Sequence, residues 1–407
     1  MKNRVSVRWH LWDLLAFRRL VPNRKKRIAR ASSEPLTRDP INELARQLHP
    51  DRLCLTIAEI RDETKTTRTF KLVADPDSDT RSLAYFRAGQ YLSLRAHVNG
   101  ATVTRPYSIS SAPFEALGKD GFYEITIRQV EDGFLTGHIW EHWHVGTQIE
   151  SSDPAGFFYH EPLRDRQAIV GLAGGSGITP FRSMAREIAH GKSDLKLTLM
   201  YGSSDEEDIP FYDEFKELER KAPDQFKAVH VLSCEPVSLE GCEQGFITAA
   251  LIEKHADVET SSFFVCGPPL MYQFVEKELA TFNLPPKRIR LEVLGEVKDV
   301  AQLPGFPSNV VGKTFTLKVH IGDVTTEIPA RADETVLVAM ERANLAPPSK
   351  CRSGECGFCR SRLVQGEVYV NQEQDGRRAA DRQFNYFHPC SSWPITDLEI
   401  HVPRSVD

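Results

Sequence analysis

The sequence predicts a multidomain chain of the α/β plus β class: an antiparallel β-barrel, a doubly wound parallel α/β domain, and a smaller C-terminal β domain. Three observations predict it. Residues 51–162 hold short runs rich in β-branched and aromatic residues, several alternating apolar with polar, with Gly, Pro and Asp between them. From about residue 163 short apolar runs alternate with amphipathic helical stretches, the pattern of a parallel sheet. The last hundred residues open with a strand pair and carry four cysteines, three of them within nine residues.

The barrel rests on Leu53–Ile57, Thr69–Val73, Tyr91–Leu94 and Tyr123–Ile127. In residues 163–298, strands at 168–173, 195–201, 228–233 and 263–266 alternate with helices near 180–189, 211–221, 248–254 and 270–282. Residues 299–311 have the Pro and Gly content of a linker. Residues 312–407 begin with strands at 314–321 and 324–328, turning at Gly322-Asp323. Residues 1–50 read as an extension, with a short helix at Pro40–Leu48.

A chain of 407 residues has room for two to four domains, and 41% hydrophobic with 26% charged residues is ordinary for a globular protein. No stretch approaches the roughly 18 apolar residues of a membrane span, and no secretory pattern opens the chain. With eight cysteines clustered rather than spread, the expected compartment is a reducing cytoplasm. Residues 1–30 carry ten Lys or Arg against Asp13, a net +9, which leaves −14 on the rest of a chain whose total is −5. An acidic body argues against nucleic acid as a partner. For the basic head three roles compete: a peripheral contact with an anionic membrane, docking of an acidic partner, or a solvated tail.

The sharpest motif is Cys351-Arg-Ser-Gly-Glu-Cys356-Gly-Phe-Cys359, followed after thirty intervening residues by Cys390. C-x4-C-x2-C…C is the spacing that holds a 2Fe–2S cluster of the plant type. Gly354 and Gly357 suit a loop tight enough to aim N–H groups at sulfur. Structural zinc or free buried thiols are the alternatives, but zinc favours paired C-x2-C half-sites and only Cys356 and Cys359 form one. Residues 312–407 resemble a plant-type ferredoxin domain, which implies a β-grasp fold and a low-potential one-electron carrier.

Arg105-Pro106-Tyr107-Ser108 ends a predicted strand. A guanidinium grips phosphate, an aromatic stacks on a flat ring, and a hydroxyl hydrogen-bonds a ring nitrogen. Gly174-Gly-Ser-Gly177-Ile178-Thr179-Pro180 follows an apolar strand and opens a helix. Thr179 is expected as its N-cap and Pro180 at the first helical position. Cys266-Gly267-Pro268-Pro269 ends a later strand, with Met271 beyond.

Together these motifs resemble the ferredoxin–NADP reductase superfamily over residues 51–407. The resemblance implies that Arg105 holds a flavin phosphate, with Pro106 beside it, that Tyr107 packs on the isoalloxazine, and that Ser108 bonds near N5. It places Ile127 at the cofactor and the phosphates on the turn Gly133-Phe-Leu-Thr136. Gly174, Gly175, Gly177, Ile178, Thr179 and Pro180 would face the nicotinamide dinucleotide, with Cys266, Gly267, Pro268 and Met271. Cys266 and Ser108 are the residues it implies at the hydride step, with no obligatory acid or base. Two departures stand out: Asp153 replaces a family glycine in Asp153-Pro-Ala-Gly-Phe157, and Glu292 is followed by Val293 with no family aromatic. The Arg-Pro-Tyr-Ser form favours FAD over FMN. Ser204 and Cys234, where many relatives carry Arg, favour NADH over NADPH.

The expected activity is an NAD(P)H-dependent reductase passing electrons through flavin and cluster to a terminal electron-acceptor protein, an oxygenase, desaturase or other reductase. The alternatives are a self-contained reductase of quinone, flavin or a small molecule, and a redox-sensing or scaffold protein.

Overall fold

A computed structural model describes residues 11–34, 39–131, 133–233, 237, 239–297, 299–372 and 375–404, with the side chains of 11–16 and 46–48 outside that description. The chain divides into two units, residues 1–46 and 47–407. The first holds helix α1 (Leu11–Arg30), which runs through Pro22, and the start of α2 (Pro40–Leu48), where the sequence places it. No described helix is long and apolar enough to cross a membrane.

In the second unit, strict alternation of buried and half-buried side chains at the start of β1 (Leu53–Thr64) marks a strand with one face on a core. It joins β2 (Thr67–Ala74), β3 (Tyr91–Val98), β4 (Ala101–Ser108), β5 (Phe122–Arg128) and β6 (Gln148–Ser151) in an antiparallel sheet of order β4-β3-β6-β1-β2-β5. A bridge between Ile109 and Ile125 brings the end of β4 to β5 and rolls the sheet into a barrel. Leu55, Phe70, Leu72, Leu92, Leu94 and Ile125 fill it, and helix α3 (Phe134–His142) packs Leu135 and Ile139 against that core.

The second domain is a six-stranded parallel sheet of order β10-β9-β8-β7-β11-β12. Its strands are β7 (Ala168–Gly174), β8 (Lys196–Ser203), β9 (Phe226–Leu232), β10 (Glu243–Gln244), β11 (Ser261–Cys266) and β12 (Ile289–Leu291). Helices α4 (Thr179–Ala189) and α5 (Tyr212–Lys221) bury one face of the sheet. Helices α6 (Ala249–His255) and α7 (Pro269–Ala280) bury the other. From β7 the chain first winds outward through β8 and β9, then returns to the far side of β7 as β11. The order therefore reverses between β7 and β11, and ligands of doubly wound sheets lie at the carboxyl ends of strands at such a reversal. Both glycine motifs end those two strands.

Barrel and parallel sheet are locked by a buried ion network. Arg182 on α4 donates to Glu124 on β5 at 2.6 Å, to the Ser110 carbonyl at 3.1 Å and to Glu214 on α5 at 2.8 Å. Burial disfavours the charged Glu124, but Arg182 and Arg61 outweigh it and hold the carboxyl below its usual range.

The third domain is a mixed sheet of order β14-β13-β19-β15-β17. It comprises β13 (Thr314–Ile321), β14 (Val324–Arg331), β15 (Ser361–Gln365), β17 (Tyr386–Phe387) and β19 (Leu398–Val402), with β16 (Val368–Tyr369) and β18 (Trp393–Pro394) paired separately. Helix α8 (Val336–Arg342), capped by Thr335, seats Val336, Leu337 and Met340 on the sheet, and α9 (Ala379–Gln383) leads into β17. Residues 299–311 are packed rather than loose. Val300, Leu303 and Phe306 lie against Tyr369 and Trp393, and the Tyr369 hydroxyl donates to the Pro304 carbonyl at 2.9 Å.

Candidate functional site

Four thiols converge where the loop after α8 meets the short turn before β18. The Cys359 and Cys390 sulfurs stand 3.3 Å apart, and Cys351 lies within bonding reach of both Cys356 and Cys390. Backbone N–H groups of Ser353 and Cys356 point at the Cys351 sulfur at 3.5 Å, and that of Phe358 at the Cys356 sulfur at 3.4 Å. Such donors stabilise thiolate charge. Among the described residues no three His, Cys, Asp or Glu side chains surround a single ion. The sulfur contacts instead run in series, Cys356 to Cys351 to Cys390 to Cys359, so that the four thiols share one site, as ligands of a two-iron cluster must. Gly354, at φ +87°, is forced: a Cβ there would sit 2.3 Å from the Ser391 hydroxyl. Cys351, Cys359 and Cys390 are buried and Cys356 is half-buried, with Phe358 beside it 49% exposed.

β4 carries the second constellation. It is an edge strand, and Pro106 stands where an outward N–H would otherwise be unpaired. Tyr107 is half-buried against the barrel core and Ser108 pairs across to the buried Tyr91. Arg105 donates through one terminal nitrogen to the Thr104 carbonyl at 2.9 Å and to Glu341 at 3.5 Å. Gly133 caps α3, and a Cβ on it would fall 2.1 Å from the Thr136 hydroxyl. The turn is therefore closed tightly, with the first-turn amides of α3 left for an anion. The Ile127 side chain lies inside the barrel, so only its backbone is left for a ligand. This arrangement fits a flavin: a cation, an amide cradle and a ring-sized aromatic surface on adjoining elements.

The third constellation joins the two reversal-point loops. A Cβ on Gly177 would lie 2.0 Å from the Cys266 carbonyl oxygen, and one on Gly174 or Gly267 would strike the Met271 sulfur at 2.6 or 2.5 Å. The glycines thus let both strand ends close on one another. Thr179 does not cap the helix. A short 3-10 turn, Gly175–Ile178, extends it backward, and the Thr179 hydroxyl donates to the Ser176 carbonyl at 3.0 Å. Pro180 falls at the second helical position, one later than expected, because the helix begins at Thr179, and Ile178 is buried. Cys266 is buried beside Tyr272, whose hydroxyl accepts from the Gly267 N–H at 3.2 Å and donates to the Glu292 carbonyl. Burial, with Glu292 nearby, pushes the Cys266 thiol well up and keeps it uncharged.

Glu292 lies between the constellations. Its Oε1 has no partner among the described residues, and burial, followed by Glu355 and Cys351, pushes its carboxyl well up. A cavity of about 330 Å³ opens there, lined by Tyr91, Gly156, Glu292, Cys351 and Cys356. Asp153, the departure from the family glycine, binds Lys350 at 2.6 Å, next to Cys351.

Sequence reasoning missed Arg128, whose guanidinium reaches the Gly175 turn from β5 and pairs with Asp208, and it missed Glu341. No local pattern marks either, because each acts across a domain boundary. Cys234 lies outside the described residues.

Comparison with known proteins agrees with this layout. The oxidoreductase FAD-binding domain family matches residues 55–160, the oxidoreductase NAD-binding domain family residues 172–277, and the 2Fe–2S iron–sulfur cluster binding domain family residues 319–394. The chain is 28% identical over 348 residues to the ferredoxin reductase component of 3-ketosteroid-9-alpha-monooxygenase from Rhodococcus rhodochrous, covering 84% of this chain and 94% of that protein. It is 33% identical over 222 residues to NADH-cytochrome b5 reductase 1 of Dictyostelium discoideum, covering 53% of this chain and 73% of that one. The phthalate dioxygenase reductase structure superposes with a TM-score of 0.61 at 22% identity over 87% of this chain and 98% of that chain, which shows the shared fold. With FAD, NAD and 2Fe–2S domains in this order, the chain is an oxidoreductase that belongs to the ferredoxin–NADP reductase superfamily, in its branch with a C-terminal plant-type 2Fe–2S domain.

Proposed function

We propose that this chain is the reductase component of an oxygenase-type system, taking hydride from NADH and handing single electrons to a separate redox protein. The observation that carries the reading is the seating of the cluster loop against the flavin-binding strand of the same chain, through Glu341 and Thr104. When bound, flavin would supply the exchange between paired and single electrons.

The protein supplies position and charge. Arg105 and the amides of α3 hold phosphate, Tyr107 and Ser108 set the ring, and Gly174, Gly175 and Gly177 let the dinucleotide approach beside Cys266 and Met271. Cys351, Cys356, Cys359 and Cys390 would hold the irons. The acceptor would dock at Cys356, the one of these four cysteines that is not buried, and the exposed Phe358 beside it. NADH is favoured because Ser204 is neutral and exposed, while the nearby cations Lys65 and Arg128 are already paired with Glu207 and Asp208.

The test is anaerobic addition of NADH to the purified holoprotein. Flavin and cluster absorption are both expected to bleach within one mixing experiment, and turnover with quinone or free flavin should stay well below turnover with an oxygenase-type redox protein. A cluster that keeps its colour once the flavin is reduced ends this reading.

The N-terminal unit is read as a contact for anionic lipid. On a helical projection Phe17, Leu20, Val21 and Ile28, all exposed, share one side of α1, while Arg18, Arg19, Lys25, Lys26, Arg27 and Arg30 occupy the rest, Arg24 alone interrupting the apolar side. The full chain is expected to sediment with phosphatidylserine vesicles and to be released as salt shortens the Debye length. The K25E/K26E/R27E triple variant should stay in the supernatant.

A further inference from the structure

Four ionisable side chains meet in a buried cluster where the third domain lies on the barrel: Arg105 on β4, Glu296 ahead of the linker, Glu341 on α8 and Arg352 in the cysteine loop. Arg352 has no exposed side-chain surface and Glu341 has 5%. Glu341 is the hub. On one side it accepts from both terminal nitrogens of Arg352, at 2.5 and 2.9 Å, and Arg352 also pairs with Glu296. On the other side it reaches out of its own domain, accepting the Thr104 backbone N–H at 3.2 Å and contacting Arg105 at 3.5 Å.

Thr104 explains why the second set matters. β4 is a sheet edge, and an outward edge amide must find a partner or face water. Two residues along, Pro106 removes the next outward donor. The Thr104 amide is therefore the donor that β4 offers at this point, and a carboxylate of the third domain takes it. If Glu341 served only its own domain, Arg352 alone would satisfy it. Reaching Thr104 and Arg105 as well requires the cysteine loop to be seated on the strand that carries Arg105, Tyr107 and Ser108. The Lys350–Asp153 pair at 2.6 Å makes a second stitch across the same boundary.

We propose that Glu341 is a positioning residue for the step from flavin to cluster: one carboxylate holds the cysteine loop and the flavin-binding strand together and so sets the separation of the two cofactor sites. The inference rests on the flavin and cluster reading above. Glu341 does touch Arg105, so flavin content is measured alongside iron; none of the glycine-turn or Cys266 contacts passes through Glu341, and hydride transfer per bound flavin is expected to be kept.

The experiment uses full-length E341D and E341Q holoprotein. E341D keeps the charge for Arg352 but is too short to span both partners, and E341Q keeps the shape and loses the charge. The first readout is hydrogen exchange at the Thr104 amide, expected to lose protection by about tenfold or more in both variants. The second is anaerobic stopped flow with NADH, normalised to both flavin and iron content. Flavin reduction should keep its wild-type rate while cluster bleaching slows about tenfold, the scale on which small misplacements act. Thr104 protection at the wild-type level overturns the proposal, and so does wild-type bleaching with Thr104 exposed. If both variants lose iron, exchange is compared with iron-free wild type, and equal protection assigns Glu341 to its own domain alone. A wild-type cluster that never bleaches strikes the functional reading instead.

Discussion

Cys390→Ser should give a yellow protein that still accepts hydride from NADH at close to the wild-type rate but carries no cluster absorption. Electron delivery to an acceptor protein should fall at least about a hundredfold, because the carrier itself is missing. Cys390 sits in a 3-10 turn, Pro389–Ser391, and its sulfur lies 3.3 Å from that of Cys359. A serine hydroxyl keeps the shape but is a hard, weakly acidic donor where iron and sulfide favour thiolate. The turn would survive, since the Ser391 amide and the Ser392 hydroxyl both donate to the His388 carbonyl, at 3.0 and 2.9 Å. Hydride transfer is spared because its residues lie in the other two domains. Iron per chain and the visible spectrum decide it, and a C390S protein with a full complement of iron would remove Cys390 from the ligand set.

That variant concerns residues legible from spacing alone. The four cysteines, the Arg105–Ser108 run and the two glycine turns are local patterns whose chemistry needs those residue types close together in sequence, so they can be read without a fold. Most of the strands and helices were equally legible, because one-sided burial imposes a period of two on barrel strands and of 3.6 on helices, while strands covered on both faces show as short apolar runs. What escaped was short or tertiary. β6 and β12 span four and three residues, too few to show a period. The Pro and Gly of residues 299–311 suggest a linker by composition, yet Val300, Leu303 and Phe306 bury themselves on the third domain. Thr179 has the right residue type for a cap, but the glycines before it wind a 3-10 turn and move the helix start. Glu341 and Arg128 look like ordinary surface charges until the neighbouring domain arrives. Asp153 reads as a defect in a family motif, and the structure gives it a use as the partner of Lys350.

Gly177→Ala is expected to disable the other end of the electron path. The added Cβ would lie 2.0 Å from the Cys266 carbonyl oxygen, 2.4 Å from its carbon and 2.8 Å from the Gly267 nitrogen. All three are backbone atoms at the end of β11, a strand whose residues are all buried, so no rotamer change relieves the clash. The two reversal-point loops must separate, and Cys266 moves away from the place where the dinucleotide is held. A displacement of that size at a reacting centre costs on the order of a hundredfold in rate. Anaerobic bleaching of the flavin by NADH should slow accordingly, while dithionite, which needs no dinucleotide site, should reduce flavin and cluster as in the wild type. Gly174→Ala is the sharp control. Its Cβ would meet the Met271 sulfur at 2.6 Å and the Pro268 ring at 3.2 Å, but the sulfur is the far end of a flexible side chain that can swing aside, and the ring contact asks for a shift of only a few tenths of an ångström. G174A should therefore lose only a few-fold, on the scale of a modest overpacking. If G177A and G174A slow hydride transfer equally, close backbone approach between the two turns is not what the first motif provides.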